Sequence, residues 1–588
     1  MISLALLLSL LGLIPAASGV ILLLGARWLS RLVAVIWCGA VLLFSLAVVL
    51  FFISLLIYGD TIQATLFAPA GWGRWLQLSY QVDAFNVFSA LVIGVLASGV
   101  AAIIVAIEPA PSDFQQEGEK SDTDQRHIGH QRQTWQIGML LVALGAIFTL
   151  IFANCALWLV LGWGVVGLCA FTLHIQGRSH RRALLLAAAP CTAAIVLYLA
   201  LLPAITTLDD KRLDLLNGLG REPLWAALIM LAALLAPAVV LLAQQAIGTP
   251  APRPAGMGQN VVYALMAAPA TFTIFARLAP LIAGPGVVLP GTGSLGWRVF
   301  SLVTIWAVAI LALAAALLAL RYARRATLPL FLSIQLLSWM LAGVAITGTA
   351  AINGALMMKL LRLLALGALL LAGGRKPTQP ILSLSWWLAA LALSALPFAA
   401  GFSSAWLITS GAMVAGPAWV AGTGLNWLAL MLVTLAIVRV GAASETGAEV
   451  PQAALGRAGQ GPGFLFFLLA LLALALGIAP EVAVNLFTGP AANVLPVITS
   501  SAPIASVQTN PLGLLTAPGV WLPGLFWLLT LVLLLLCGLL TRPARQPASI
   551  PVFMGGEAEA GSTDDTMPAP APPANSAQEV EASAQSQY

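Results

Sequence analysis

Two cations stand where a charge is costly. Lys359 and Arg362 lie within the apolar run 350–372, three positions apart and therefore on one side of a helix. A basic side chain at the middle of a bilayer costs at least about 2.5 kcal/mol, and residues kept there mark ion paths, proton relays or contacts with partner chains. A lysine buried in this way can release its proton, whereas an arginine keeps it at any accessible pH. Lys359 and Arg362 are therefore candidates for either a residual proton path or a fixed intramembrane charge. Other reactive groupings are absent. The acids in or beside apolar runs (Asp60, Asp83, Glu108, Glu222 and Glu481) all fall near a loop, and Asp83 is placed to cap a helix. His127, His130, His174 and His180 fall in loops or at helix ends. Cys38, Cys155, Cys169, Cys191 and Cys537 show no CxxC spacing and read as small buried hydrophobes. There is no Walker loop, no HExxH and no Ser/His/Asp grouping, so the sequence shows no metal ligands, nucleotide site or hydrolytic chemistry.

The elements that must position these residues follow from composition. Of 588 residues, 60% are hydrophobic and 8% are charged. Soluble domains carry about 25% charge, which excludes a water-soluble enzyme. The apolar blocks are unbroken rather than alternating, which excludes a membrane barrel and leaves an all-α polytopic membrane protein. At about 20 residues per span, the blocks give about 15 transmembrane helices, from 2–24 to 519–541. The N-terminal block lacks the basic region of a signal peptide and reads as the first span. Residues 382–414 are too long for one simple span and carry Pro397 and Gly401 at their centre, so a broken helix is expected there. Pro237 is expected to disturb 224–247 in the same way. An N-terminus-out, C-terminus-in arrangement puts 18 of the 26 basic residues on the cytoplasmic side. The net charge of +5 arises in loops and span ends, which argues against a nucleic-acid partner. The chain divides into N-terminal spans (1–107), a polar cytoplasmic loop (108–133), a central core (134–441), C-terminal spans (442–541) and a Pro/Ala/Ser/Glu-rich tail (542–588) with little to bury. Residues 486–518, with five prolines, read as an outer loop.

Several stretches, in order, resemble the antiporter-like subunits (L, M and N type) of respiratory complex I, a family that includes subunits of Mrp antiporters and membrane-bound hydrogenases. They are QVDAFNVFSALVIGVL, IFANCALWLVLGWGVVGLCAFTL, ATFTIFARLAPL, RRATLPLFLSIQLLSWMLAGVAITG and LALSALPFAAGFSSAWLITSGAM, and together they fall within roughly residues 80–440. The resemblance implies a fourteen-helix core of two inverted five-helix repeats with two broken helices. It also implies a row of buried Glu, Lys and His that carries protons across the midplane. Here the sequence departs from the family. The positions of that row fall on Gly164, Ala238, Tyr263, Pro269, Gly354, Met358 and Ala405, and only Arg362, with Lys359 one turn earlier, keeps a charge.

The resemblance therefore implies a membrane-arm subunit of a bacterial complex I-type NADH:quinone oxidoreductase, in the cytoplasmic membrane among other membrane subunits. It would serve a structural role rather than pump by the usual path. FMN, iron–sulfur clusters and quinone would belong to partner subunits, with no cofactor on this chain. The alternative is an active proton- or cation-translocating subunit of a complex I, Mrp or hydrogenase-like assembly.

Overall fold

The structure, a computed structural model, describes residues 2–58, 62–67, 78–106, 122–175, 180–206, 223–247, 266–283, 295–323, 327–372, 380–397, 399–446, 460–495 and, within 507–532, mainly three short strands. The tail, the loop as far as residue 121, Tyr263 and the side chain of Arg362 lie outside this set. Residues Met1–Thr530 form one compact unit.

The helices are α1 (Ile2–Gly25), α2 (Arg31–Tyr58), α3 (Ala84–Ala106), α4 (Asp122–Phe152), α5 (Ala156–Ile175), α6 (His180–Thr206), α7 (Leu224–Ile247) and α8 (Ala268–Ala283). They continue with α9 (Leu295–Tyr322), α10 (Leu328–Ile346), α11 (Thr349–Ala372), α12 (Pro380–Leu393), α13 (Ala400–Ala415), α14 (Pro417–Thr446) and α15 (Gln460–Ile478). After α15 come α16 (Pro480–Ala483), a π-helical turn (Val484–Thr488) and α17 (Gly489–Asn493). Among the described residues eight helices are long and apolar enough to cross a membrane, or nine with one bent pair counted as a span.

The broken helix expected at Pro397–Gly401 is present: α12 stops at Leu393 and α13 starts at Ala400. The break expected at Pro237 is not. Pro237 is buried inside α7, which runs on as a helix because one proline removes a single ladder hydrogen bond and the turns on either side keep theirs. A different break occurs where a simple span was expected. The segments Phe467–Ile478 and Pro480–Ala492 meet at 102° around Ala479, and Pro480 is where the new helix begins. The polar loop also ends early. Residues 122–133 are the first turns of α4, since charged residues tolerate a helix that projects beyond the apolar layer.

Two small sheets tie the helices together. Strands β1 (Ile62–Phe67) and β2 (Leu78–Val82) form an antiparallel hairpin. The Ser79 carbonyl of β2 accepts from the Asn154 N–H at 2.8 Å, between α4 and α5. Strands β3 (Gln508–Asn510), β4 (Gly513–Thr516) and β5 (Gly519–Trp521) form an antiparallel meander; β3 and β4 lie in the stretch read as a plain loop, and β5 takes the first residues of the block read as the last span. Helices α1 and α4 cross backbone to backbone. A Cβ on Gly19 would stand 2.5 Å from the Gly138 carbonyl oxygen, so only glycine fits there.

Candidate functional site

Helix α11 carries Lys359 into the centre of the unit, where its side chain is 0% exposed. It sits ten residues into α11, about 15 Å along the axis at 1.5 Å per residue. Its Nζ donates to Ser89 Oγ on α3 at 2.6 Å and to Thr273 Oγ1 on α8 at 3.2 Å. The Phe85 and Phe272 ring centroids lie 5.3 and 5.2 Å from the same nitrogen. Two hydroxyl oxygens and two ring faces thus replace part of the hydration an ammonium loses on burial.

The acceptors are prepared by their own helix. Thr273 Oγ1 donates to the Pro269 carbonyl at 2.9 Å, and Thr271 Oγ1 donates to the Ala267 carbonyl at 2.9 Å. Each hydroxyl spends its proton one turn back and turns its lone pairs outward. Thr273 then accepts from Lys359. Thr271 accepts from Trp163 Nε1 of α5 at 3.0 Å. A polar line therefore crosses from α5 through α8 to α11 and α3.

One turn along α8 from Thr273, Arg277 donates through Nη1 to the Ala153 carbonyl. Asp83 stands just ahead of α3 and caps it as expected, Oδ1 accepting the Asn86 N–H at 2.8 Å. Burial pushes the Asp83 carboxyl above the usual carboxylate range, against the opposing pull of the Arg277 guanidinium and the backbone N–H groups of Asn86 and Phe85. Among the described residues, Asp83 and Lys359 are the buried formal charges, and the buried set holds no Glu and no His.

The positions read as departures from the family row are placed as follows. Ala238, Pro269, Met358 and Ala405 are buried on α7, α8, α11 and α13. Gly164 is half-buried on α5, where a Cβ would meet the Ala194 Cβ of α6 at 3.1 Å. Gly354 is pressed against α13: a Cβ there would stand 2.7 Å from the Ser404 carbonyl oxygen and 2.9 Å from the Leu407 Cβ. The interface of α11 and α13 has no room for an imidazole at this position. Lys359 and Arg362 share α11, while Gly164 lies on α5 and Ala405 on α13. Ser89, Thr271 and Thr273 were missed in the sequence, because a Ser or Thr in an apolar helix carries no sign of whether its second lone pair is used.

A second polar feature surrounds the start of α13. Ser403 Oγ donates to the Gly477 carbonyl of α15 at 3.2 Å and accepts from Trp521 Nε1 of β5 at 3.1 Å. The Trp521 ring packs on Phe402 and Trp406, with centroids 4.7 and 5.8 Å away. Phe402 packs on Trp427 of α14, and Trp427 on Trp339 of α10. Beyond them, Gln335 and Asn426 bury all four side-chain amide atoms without a hydrogen bond among the described residues.

No family model and no curated protein matches this sequence. Solved structures do. A chain of the membrane-bound sulfane sulfur reductase, an archaeal respiratory membrane complex, superposes with a TM-score of 0.66 at 16% identity over 93% of this chain and 86% of that one. A chain of respiratory complex I from Thermus thermophilus gives 0.60 at 19% identity over 84% and 100%. A chain of the Mrp complex from Dietzia sp. gives 0.58 at 16% over 83% and 98%. The chain has the fold of an antiporter-like subunit. In this antiporter-like fold the polar line through Lys359 occupies the core, and the break before α13 is bordered, among the described residues, by the Ser403 hydroxyl and the rings of Phe402, Trp406 and Trp521.

Proposed function

We propose that the chain is a membrane-arm subunit of a complex I-type NADH:quinone oxidoreductase that keeps the antiporter-like fold and packs beside pumping subunits without pumping through itself. The observation that carries this reading is the composition of the core. Among the described residues it holds one lysine, on hydroxyls and aromatic faces, one carboxyl, Asp83, which caps α3, and no residue of Glu or His in the buried set. Protons crossing hydrocarbon need groups that gain and lose them in sequence, and side-chain hydroxyls titrate too far from neutrality to serve. The redox groups (FMN, iron–sulfur clusters and quinone) belong in this reading to partner subunits, and the chain lies in a bacterial cytoplasmic membrane with its N-terminus outside.

A tagged chain purified from native membranes tests the assembly. Co-purification of NADH-oxidising activity with iron–sulfur absorbance supports it, and recovery with antiporter subunits alone counts against it. Lys359→Met in the purified assembly tests the passive role. Pumping per electron pair should stay within the wild-type range, whereas loss of pumping in an intact assembly would establish the alternative, an active translocating subunit. That alternative draws on the line Trp163–Thr271 and Thr273–Lys359–Ser89, with the buried amides of Gln335 and Asn426, unpaired among the described residues, as places where water can be held.

A further inference from the structure

Two helix breaks meet at one point. The chain leaves helix between Leu393 and Ala400, and again at Ala479. A Cβ on Gly477 would stand 2.5 Å from both the Cα and the N of Ala400, so the two interrupted backbones are in direct contact. Interrupted helices free backbone N–H and C=O groups, and inside a membrane these must be covered by protein or by water. Two breaks side by side would ordinarily open a wet pocket.

Protein covers them here. Ser403, on the first turn of α13, is 0% exposed and makes a hydrogen bond to each side: its Oγ donates to the Gly477 carbonyl and accepts from Trp521 Nε1. Trp521 comes from the meander, 118 positions away in sequence, and is itself 6% exposed. Its ring completes a continuous aromatic stack that runs through Phe402 and Trp427 to Trp339 and is flanked by Trp406. Within the meander, Thr516 Oγ1 at the end of β4 donates to the Gly519 carbonyl at the start of β5 at 2.9 Å, joining the two strands.

We propose that the meander is a plug and Trp521 its stopper, closing the paired breaks of α13 and α15 to water from the side of the membrane on which the meander emerges. An indole suits this place. Its face excludes water over the ring stack, while its N–H satisfies the Ser403 hydroxyl oxygen. The seal is independent of whether the chain carries protons, because it concerns solvent access to one serine.

The test uses the full chain with its five cysteines replaced by alanine and Ser403→Cys as reporter, labelled by a charged, membrane-impermeant thiol reagent in vesicles of both orientations. With Trp521 present the thiol should be inert. With Trp521→Ala it should react at least about tenfold faster from one face, since a wetted thiol forms thiolate and a buried one does not. Trp521→Phe, which keeps the ring and loses the N–H, should stay close to inert. Equal labelling with and without the indole overturns the plug, whether both are fast (no seal) or both slow (another seal). Folding is checked by size-exclusion profile and melting temperature. If the alanine variant does not fold, Trp521→Leu replaces it, with intermediate labelling expected, and a leucine variant as inert as the parent overturns the proposal.

Discussion

Lys359 Nζ lies 2.6 Å from Ser89 Oγ although 270 positions separate the two residues in the chain. The contact pins α11 to α3, and the hydrogen bond to Thr273 pins the same nitrogen to α8. A hydrogen bond to a charged group contributes about 1.5–3 kcal/mol. Ser89→Ala should therefore lower the stability of the purified chain by an amount in that range. In the Lys359→Met background the same change should cost much less. A double-mutant cycle on denaturation midpoints reads the difference, and additive effects would show that the contact carries no energy.

Gly354 predicts a steric limit. With a Cβ position 2.7 Å from the Ser404 carbonyl oxygen, Gly354→Ala should push α11 from α13 and cost about 1–3 kcal/mol. Gly354→His, a far larger side chain at the same place, should prevent folding. Expression level and thermal melting measure both.

Asp83 predicts a pH dependence. Its carboxyl is held above the ordinary range in the folded chain by burial. A group with a raised folded pKa favours folding below its unfolded pKa, and that contribution is lost as pH rises through the folded value. Asp83→Asn keeps the cap of α3 and removes the titration. The melting temperature of the wild type should therefore fall relative to Asp83→Asn as pH is raised through the shifted pKa. Parallel profiles for the two proteins would show that Asp83 does not titrate in this way.

Arg439 predicts a helix-end effect. Its guanidinium donates to the Ala323 carbonyl at 2.9 Å, the Ala319 carbonyl at 3.2 Å and the Arg321 carbonyl at 3.4 Å, at the end of α9. The Ala319 carbonyl already accepts from the Ala323 N–H at 3.0 Å, but carbonyls of a last helical turn generally lack such a partner, and a cation there also meets the negative end of the dipole. Arg439→Met should cost about 1–2 kcal/mol, and Arg439→Lys should recover part of it, since one ammonium cannot reach all three oxygens. Melting temperatures of the three proteins decide this.

Trp163 predicts a smaller effect. Trp163→Phe removes the hydrogen bond to Thr271 but keeps the ring, and should cost about 0.5–1.5 kcal/mol. Thr271→Val in the same background should add little more.

The sequence by itself determined the solvent, the helical class, the break before α13 and the lone lysine of α11, because each is written locally. Apolar runs set spans, Pro397 and Gly401 interrupt a ladder, and a charge among apolar residues is visible wherever it occurs. Local signals also misled. Pro237 reads like Pro397 but sits in an unbroken helix, and the break at Ala479 follows an apolar run that reads as one span. What surrounds a proline decides whether its freed backbone groups find other partners. Only the tertiary structure showed that Ser89 and Thr273 close on Lys359, that two breaks touch at Ala400 and Gly477, and that Trp521 covers them. These are contacts between residues far apart in the chain. A hydroxyl or an indole has the same identity in the sequence whether it faces lipid or a buried charge, so its partner exists only once the helices are packed.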